Sequence, residues 1–391
     1  MKKGIIAILA FGATTSLMAL GAEHAYLYKD ARIMGMGGAN VAVGGYSTSI
    51  FSNPAGLTSI NKEHGYVVDL LGFGVSASEK TSDFISDIDE AETDEEMTNV
   101  LQKYTGEHFS ISVDNYTAVS HNSEDFAWSI GILAAADVNF QAHPNGSISG
   151  GILATTSRAY GGVVLGVAKP YETDIGRIDI GIGAKYIMQH SYEGALGISE
   201  LLDDSDDLAD KLQDKYEQES SGFGIDLGAR YHPFADSFWN PAFGLSVLNI
   251  GSMDMDDNFG GQPVTVNIGA SITPEVSFIN KLVLAIDYVD IFNANVTRIY
   301  NYSDSDNISY TDYEESDIMK RVRLGASACL VDSSLFSATL NLGLYQNAYT
   351  AGLDMEVTVV KLNFATYEEQ VGTGDVDIAD RRYMAQIGIG W

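Results

Sequence analysis

Fourteen segments of this chain alternate apolar residues with polar or small ones at a period of two. In residues 178–186 one face carries Ile178, Ile180, Ile182, Ala184 and Tyr186, and the other Asp179, Gly181, Gly183 and Lys185. In 223–231 Phe223, Ile225, Leu227, Ala229 and Tyr231 oppose Gly224, Asp226, Gly228 and Arg230. Residues 322–330, 336–344 and 383–391 repeat the pattern. Weaker versions occupy 66–76, 109–119, 128–140, 160–168, 242–250, 264–272, 282–291, 348–355 and 357–367. A period of two places alternate side chains on opposite faces of a strand, one apolar and one polar.

The links alternate too. Residues 79–108, 141–157, 190–220, 251–263, 292–319 and 368–382 are long and polar, whereas 121–125, 170–174, 232–240, 273–281 and 331–335 are short. Only 346–347 is short where a long link is expected. A soluble sandwich has no reason to lengthen every second connection. A bacterial outer-membrane barrel has one: short turns on the periplasmic side, long loops outside and an even strand number. Lipid supplies no hydrogen bonds, so a spanning sheet must close on itself. The polar face here is mainly Gly and Ser, unlike the solvated face of a soluble sheet. Tyr186, Tyr231, Tyr288, Tyr383 and Trp391 are expected at strand ends on the apolar face, where aromatic rings suit a membrane interface. The fold expected is all-β: a transmembrane antiparallel β-barrel of about 14 strands over residues 61–391.

Composition narrows the function. The net charge is −31, which excludes nucleic acid as a partner because phosphate binding needs clustered Lys and Arg. The links 79–108, 190–220, 251–263, 292–319 and 368–382 hold 34 of the 53 acidic residues and seven basic ones. Acid is thus concentrated at one end of the barrel. Two links, 198–218 and 84–104, space Leu, Ile and Met at helical intervals and are expected to form amphipathic caps. Asp204, Asp206, Asp254 and Asp256 offer the alternating oxygens that suit Ca²⁺ or Mg²⁺, which would bridge to anionic lipopolysaccharide; none has EF-hand spacing. The competing reading is a solvated acidic surface. Cys329 is the single cysteine, so no intrachain disulfide forms.

The N-terminus reads as a secretory signal, residues 1–22: Lys2 and Lys3, an apolar run over 4–20, and small residues before cleavage near Ala22. Residues 30–60 then lack any clean period. They are small, Gly-rich and almost uncharged, and include Asn53-Pro54-Ala55-Gly56. Gly35-Met36-Gly37-Gly38 lacks the strand, helix and Lys-Ser/Thr of a phosphate loop. Small residues here let the chain pack closely inside a narrow lumen.

The Gly-rich stretch, the Asn53-Pro54-Ala55 triplet and the alternating strands together resemble the FadL/OmpP1/TodX family of outer-membrane transporters, with PorV-like and TraF-like relatives. The resemblance implies that residues 23–60 are a plug, or hatch, containing Gly35, Gly37, Gly38, Phe51, Asn53, Pro54 and Ala55. It implies a channel for small hydrophobic ligands, fatty-acid-like or aromatic. The alternative is a non-transporting accessory barrel that docks a partner in secretion, surface attachment or conjugation, which the acidic loops favour. The terminal strand, with Tyr383, Ile387, Ile389 and Trp391, looks like the signal read by the barrel assembly machinery of the outer membrane.

By parity Asp179, Lys185, Asp226, Arg230, Asp287, Arg321, Arg323 and Lys361 face the lumen. Mixed charges there are expected to pair and hold the plug, since unpaired charges in a narrow interior are costly. Replacing Arg323 with Ala would on this view loosen the plug. The seven histidines show no metal-ligand spacing, no cofactor is indicated, and no nucleophile motif points to an enzyme.

Overall fold

The computed structural model describes residues 27–61, 65–105, 107–123, 125–143, 152–197, 217–255, 259–301, 309–314, 317–371 and 378–391. The expected signal peptide and the helix expected over 198–218 lie outside them, apart from residues 217 and 218.

Sixteen strands follow in chain order: β1 (Tyr66–Ser78), β2 (His108–Asn122), β3 (Ala127–His143), β4 (Ile152–Thr173), β5 (Gly176–Gly197), β6 (Gln218–His232), β7 (Pro241–Gly251), β8 (Thr265–Ile272), β9 (Lys281–Tyr288), β10 (Val296–Asn301), β11 (Ser309–Glu314), β12 (Val322–Asp332), β13 (Phe336–Tyr345), β14 (Ala348–Val357), β15 (Val360–Gln370) and β16 (Ala379–Gly390). Fourteen close into one antiparallel barrel, in which β9 pairs with β12 and β1 with β16. Each of the fourteen expected strands has its counterpart in this wall. Strands β10 and β11 form a separate hairpin inside the 292–319 link. The sequence reading missed it because the apolar residues of these short strands, such as Val296 and Ile299, fall at odd spacing and make no apolar face.

The hydrophobic alternation sets which side is which. Ile180 and Ile182 are 48% and 55% exposed, whereas Asp179 and Lys185 on the other face of the same strand are buried. The same outward set continues through Leu227, Phe243, Ile268, Ile286 and Leu342. A wall with an apolar exterior and a polar interior is the inverse of a soluble barrel and matches a lipid-facing one. No helix among the described residues is long and apolar enough to cross a membrane, so any crossing is made by the strands. Ile182→Lys is therefore expected to cost about 2–4 kcal/mol near the bilayer midplane. Urea unfolding in lipid vesicles tests this; a neutral result would place Ile182 outside the bilayer.

Strand ends differ from expectation at two places. β4 and β5 each run 22 residues, joined by a two-residue turn, so Tyr186 lies mid-strand rather than at an end. At about 3.3 Å per residue they reach roughly 70 Å, far beyond a hydrocarbon core. Backbone pairing continues where the apolar alternation stops, because the ladder needs only backbone groups. Tyr383 likewise sits within β16 rather than at its end.

The 79–108 link forms two helices, α1 (Thr81–Glu90) and α2 (Asp94–Lys103). Thr93 caps the second: its Oγ1 accepts from Glu96 N at 3.2 Å, and Glu96 accepts from Glu92 N in return. Phe84, Met97, Leu101 and Tyr104 pack onto Phe109, Ala142, Leu153 and Tyr192 at the top of the wall. Phe84 stacks on Phe109 with ring centroids 4.1 Å apart. Hydrogen bonds from Lys103 and Tyr104 hold the Asp87 carboxyl below its usual range. The apolar residues of this link are thus consumed in the core of its own cap.

Candidate functional site

The N-terminal segment reaches inward-facing residues of many wall strands. It contains a short helix, Ala31–Gly35, and two 3₁₀ turns, Ser47–Phe51 and Pro54–Ser59. Asp30 caps the helix, accepting from Arg32 N at 2.9 Å, and also accepts from Thr48 Oγ1 at 2.6 Å. Polar side chains at 30, 40, 47–49, 52, 53 and 58 are all buried. Buried polar groups need partners, and the wall supplies many of them.

Three charged wall residues take hold of the plug backbone or its hydroxyls, beside neutral ones such as Gln386, Thr350, Asn122 and Tyr160. Asp287 of β9 accepts from Asn40 N at 2.6 Å and Val41 N at 2.8 Å. Arg230 of β6 donates from Nε to Ala42 O at 3.1 Å and from Nη1 to Ser59 Oγ at 2.7 Å. Asp69 of β1 accepts from Ser47 Oγ and from Lys361 Nζ, each at 2.6 Å. Charged groups make the stronger hydrogen bonds, so these three sites anchor the segment at separate points on the circumference.

The Asn-Pro-Ala triplet is seated by shape and by one amide. Asn53 Nδ2 donates to Val41 O at 2.7 Å within the plug and to Ala229 O of the wall at 3.2 Å, while Oδ1 accepts from Ala55 N at 3.0 Å. Pro54 opens its 3₁₀ turn, where a missing N–H costs nothing. A Cβ at Gly228 of β6 would lie 2.9 Å from both Ala55 N and Pro54 Cδ, so only glycine leaves room for the triplet. Gly37 is the second such place: its φ of +68° and the β12 and β13 backbone against it exclude a side chain. Gly35 lies against Gly352, Gly38 against Tyr345 and Arg323, and Ala55 is fully buried. Phe51 packs edge-on against Tyr116, centroids 5.1 Å apart, with Tyr28 beside both.

The remaining parity-selected charges distribute differently. Lys185 and Asp226 pair across β5 and β6, with Nζ 2.8 Å from both carboxylate oxygens, and Asp226 also accepts from Asn249 N. Asp179 pairs with Arg177 at 2.7 Å and faces His232 at 3.3 Å. Arg323 is buried, donates to Lys320 O at 2.6 Å and lies over the Tyr345 ring at 4.1 Å. Arg321 departs from the expectation. It ends a 3₁₀ turn, Ile318–Arg321, before β12 begins, so strand parity does not reach it; it donates to Asp290 O instead.

Sequence reading missed one ionic chain. Lys29 bonds Glu369, Glu369 bonds Arg382, Arg382 Nε lies 2.7 Å from Asp380, and Asp380 lies 3.0 Å from His108. All but Lys29 are buried wall residues, and Lys29 ties the start of the plug to them. The two outer links of this ionic chain, Lys29–Glu369 and His108–Asp380, join residues hundreds of positions apart and leave no local signal. Tyr383, Ile387, Ile389 and Trp391 all face outward from the strand that closes the barrel on β1. Asp204, Asp206 and Asp256 lie outside the described residues, and Asp254 is exposed.

Two cavities beside the plug hold only about 60 and 30 Å³, the first beside Tyr28, Lys29, Asp137 and Arg158. A larger groove of about 660 Å³ lies across β14, β15, β16, β1 and β2, where Val75, Phe364 and Tyr383 stand exposed.

No family model and no curated protein matches the sequence. Among solved structures, the toluene transporter TodX of Pseudomonas putida superposes with a TM-score of 0.54 at 10% identity, covering 93% of this chain and 97% of that one. The toluene transporter TbuX of Ralstonia pickettii gives 0.54 at 13% identity, with 93% and 97% covered. A deltaS2S3 mutant of the TodX monoaromatic hydrocarbon channel gives 0.55 at 9% identity, with 93% and 98% covered. What is common to these chains at such identities is the architecture: the protein shares the closed-barrel fold of the toluene transporters TodX and TbuX.

Proposed function

We propose that this chain is an outer-membrane channel for small hydrophobic molecules, fatty-acid-like or aromatic, with residues 23–60 as its hatch. The observation that carries the reading is the way the plug is held. An apolar-belted closed barrel contains an N-terminal segment fixed by hydrogen bonds from many wall strands, the charged ones to its backbone and hydroxyls being those of Asp287, Arg230 and Asp69. Each such contact is worth about 1–3 kcal/mol net, so each can be exchanged singly for water or another partner. The fold shared with two toluene transporters supports the cargo class. Lipopolysaccharide and outer-membrane lipid would surround the belt, and the assembly machinery would read β16.

One observation favours the accessory-barrel alternative. The apolar side chains of the 79–108 link are buried in the cap instead of lining an open funnel. Expression in a Gram-negative host lacking related barrels separates the two readings. Accumulation of labelled toluene and of a long-chain fatty acid is measured with the full chain and with residues 27–60 deleted. Saturable uptake of at least one compound by the full chain, and leak to small polar solutes on deletion, is the expected result. No uptake of either compound by a correctly assembled full chain would overturn the transport reading.

A further inference from the structure

One cluster of ligating side chains lies on the outer face of the wall, one step along β5 from Tyr192, which the cap buries. His190 of β5 sits directly opposite Glu219 of β6 in the antiparallel register, and Glu217 stands two residues before Glu219. His190 Nδ1 is 2.9 Å from Glu217 Oε1 and 3.7 Å from Glu219 Oε1. The donor atoms of all three lie within 4.8 Å of one another. A tetrahedral Zn²⁺ with bonds of about 2.0–2.2 Å spaces its ligands by about 3.4 Å, and the two imidazole–carboxylate distances straddle that value.

The position adds to the geometry. Tyr186 and Met188 are exposed on the outer, apolar face of β5, and His190 continues that face one step further toward the external rim. Its neighbour on β4 is Ala159, which brings no donor of its own. Two carboxylates held this close repel each other unless a cation lies between them, and a neutral imidazole offers a lone pair rather than a charge. His190 and Glu219 are placed by the backbone pairing of β5 with β6, and Glu217 stands immediately before β6. A set of one imidazole and two carboxylates selects borderline metals over Mg²⁺ and Ca²⁺, which take all-oxygen shells.

We propose that His190, Glu217 and Glu219 form a site for a divalent transition metal of the Zn²⁺ class, at the external rim of the β5–β6 pair, with a coordination position left for water. It differs from the acidic-loop sites expected at Asp204 or Asp254 in donor type and in having two of its three ligands on paired strands. It does not depend on the transport reading.

The test is calorimetric titration of ZnCl₂ into the full chain in detergent micelles, beside His190→Ala and the double variant Glu217→Gln/Glu219→Gln. Folding of each is checked by heat-dependent migration on a gel, and Glu219→Gln alone, at an exposed position, serves if the double variant fails to fold. One Zn²⁺ per chain is expected in the wild type, weakened at least about tenfold in the variants. Ca²⁺ and Mg²⁺ are expected to bind more weakly than Zn²⁺. Absence of Zn²⁺ binding, or Zn²⁺ affinity unchanged by His190→Ala, overturns the proposal and leaves an imidazole simply paired with two carboxylates.

Discussion

Asp287→Ala is expected to raise single-channel conductance in planar bilayers more than any other single wall substitution. The carboxylate takes two plug N–H groups, those of Asn40 and Val41, and both residues are buried. Removing one acceptor orphans two donors at once, at about 1–3 kcal/mol each. The strand that carries Asp287 keeps its ladder, so the loss falls on the plug. Asn at this position retains one acceptor oxygen and should fall between wild type and Ala. Arg323→Ala, the substitution singled out by parity, should act less strongly, because its described hydrogen bonds run to the wall carbonyls of Lys320 and Val322. Conductance equal to wild type in Asp287→Ala would show that these bonds do not hold the hatch.

Asp226→Ala should produce the largest loss of stability. Lys185 and Asp226 have side chains only 2% and 1% exposed, and their pairing is bidentate. Deleting one partner of such a pair costs about 3–5 kcal/mol, because the other charge stays buried alone. Asn249 N loses its acceptor as well. The midpoint of urea unfolding in micelles reports this directly. Replacing both partners, Lys185→Met with Asp226→Leu, should restore most of the loss, since a buried ion pair itself contributes little net stability. A drop below about 1 kcal/mol in the single variant would mean that water reaches Lys185 and screens it as at a surface.

Much of the wall is legible in the alternation of the chain. Alternation in 178–186 and 223–231 identified which residues face outward, and Asp179, Lys185, Asp226 and Arg230 are buried on the other face. The rule worked because a strand offers side chains only two directions. It failed where a residue lies off the strand, as Arg321 does, and where pairing outlasts the apolar pattern, as in β4 and β5. The β10–β11 hairpin escaped for a related reason: it belongs to a link and has no apolar face to register.

The plug divides along the same line. Its small residues and Asn53-Pro54-Ala55 marked it as a segment that packs closely, and Gly228 shows the seat that this requires. Nothing in the chain announced that Asp69 would bind Ser47, that Lys29 would join Glu369, or that His190 would meet Glu217. A closed wall, its two faces and its alternately long and short ends can be read from the chain, because they follow from local periodicity and from the backbone's need for hydrogen bonds. Which charge holds which part of the plug is set by closure of the barrel, which brings together residues separated by up to several hundred positions, and no local pattern encodes that register.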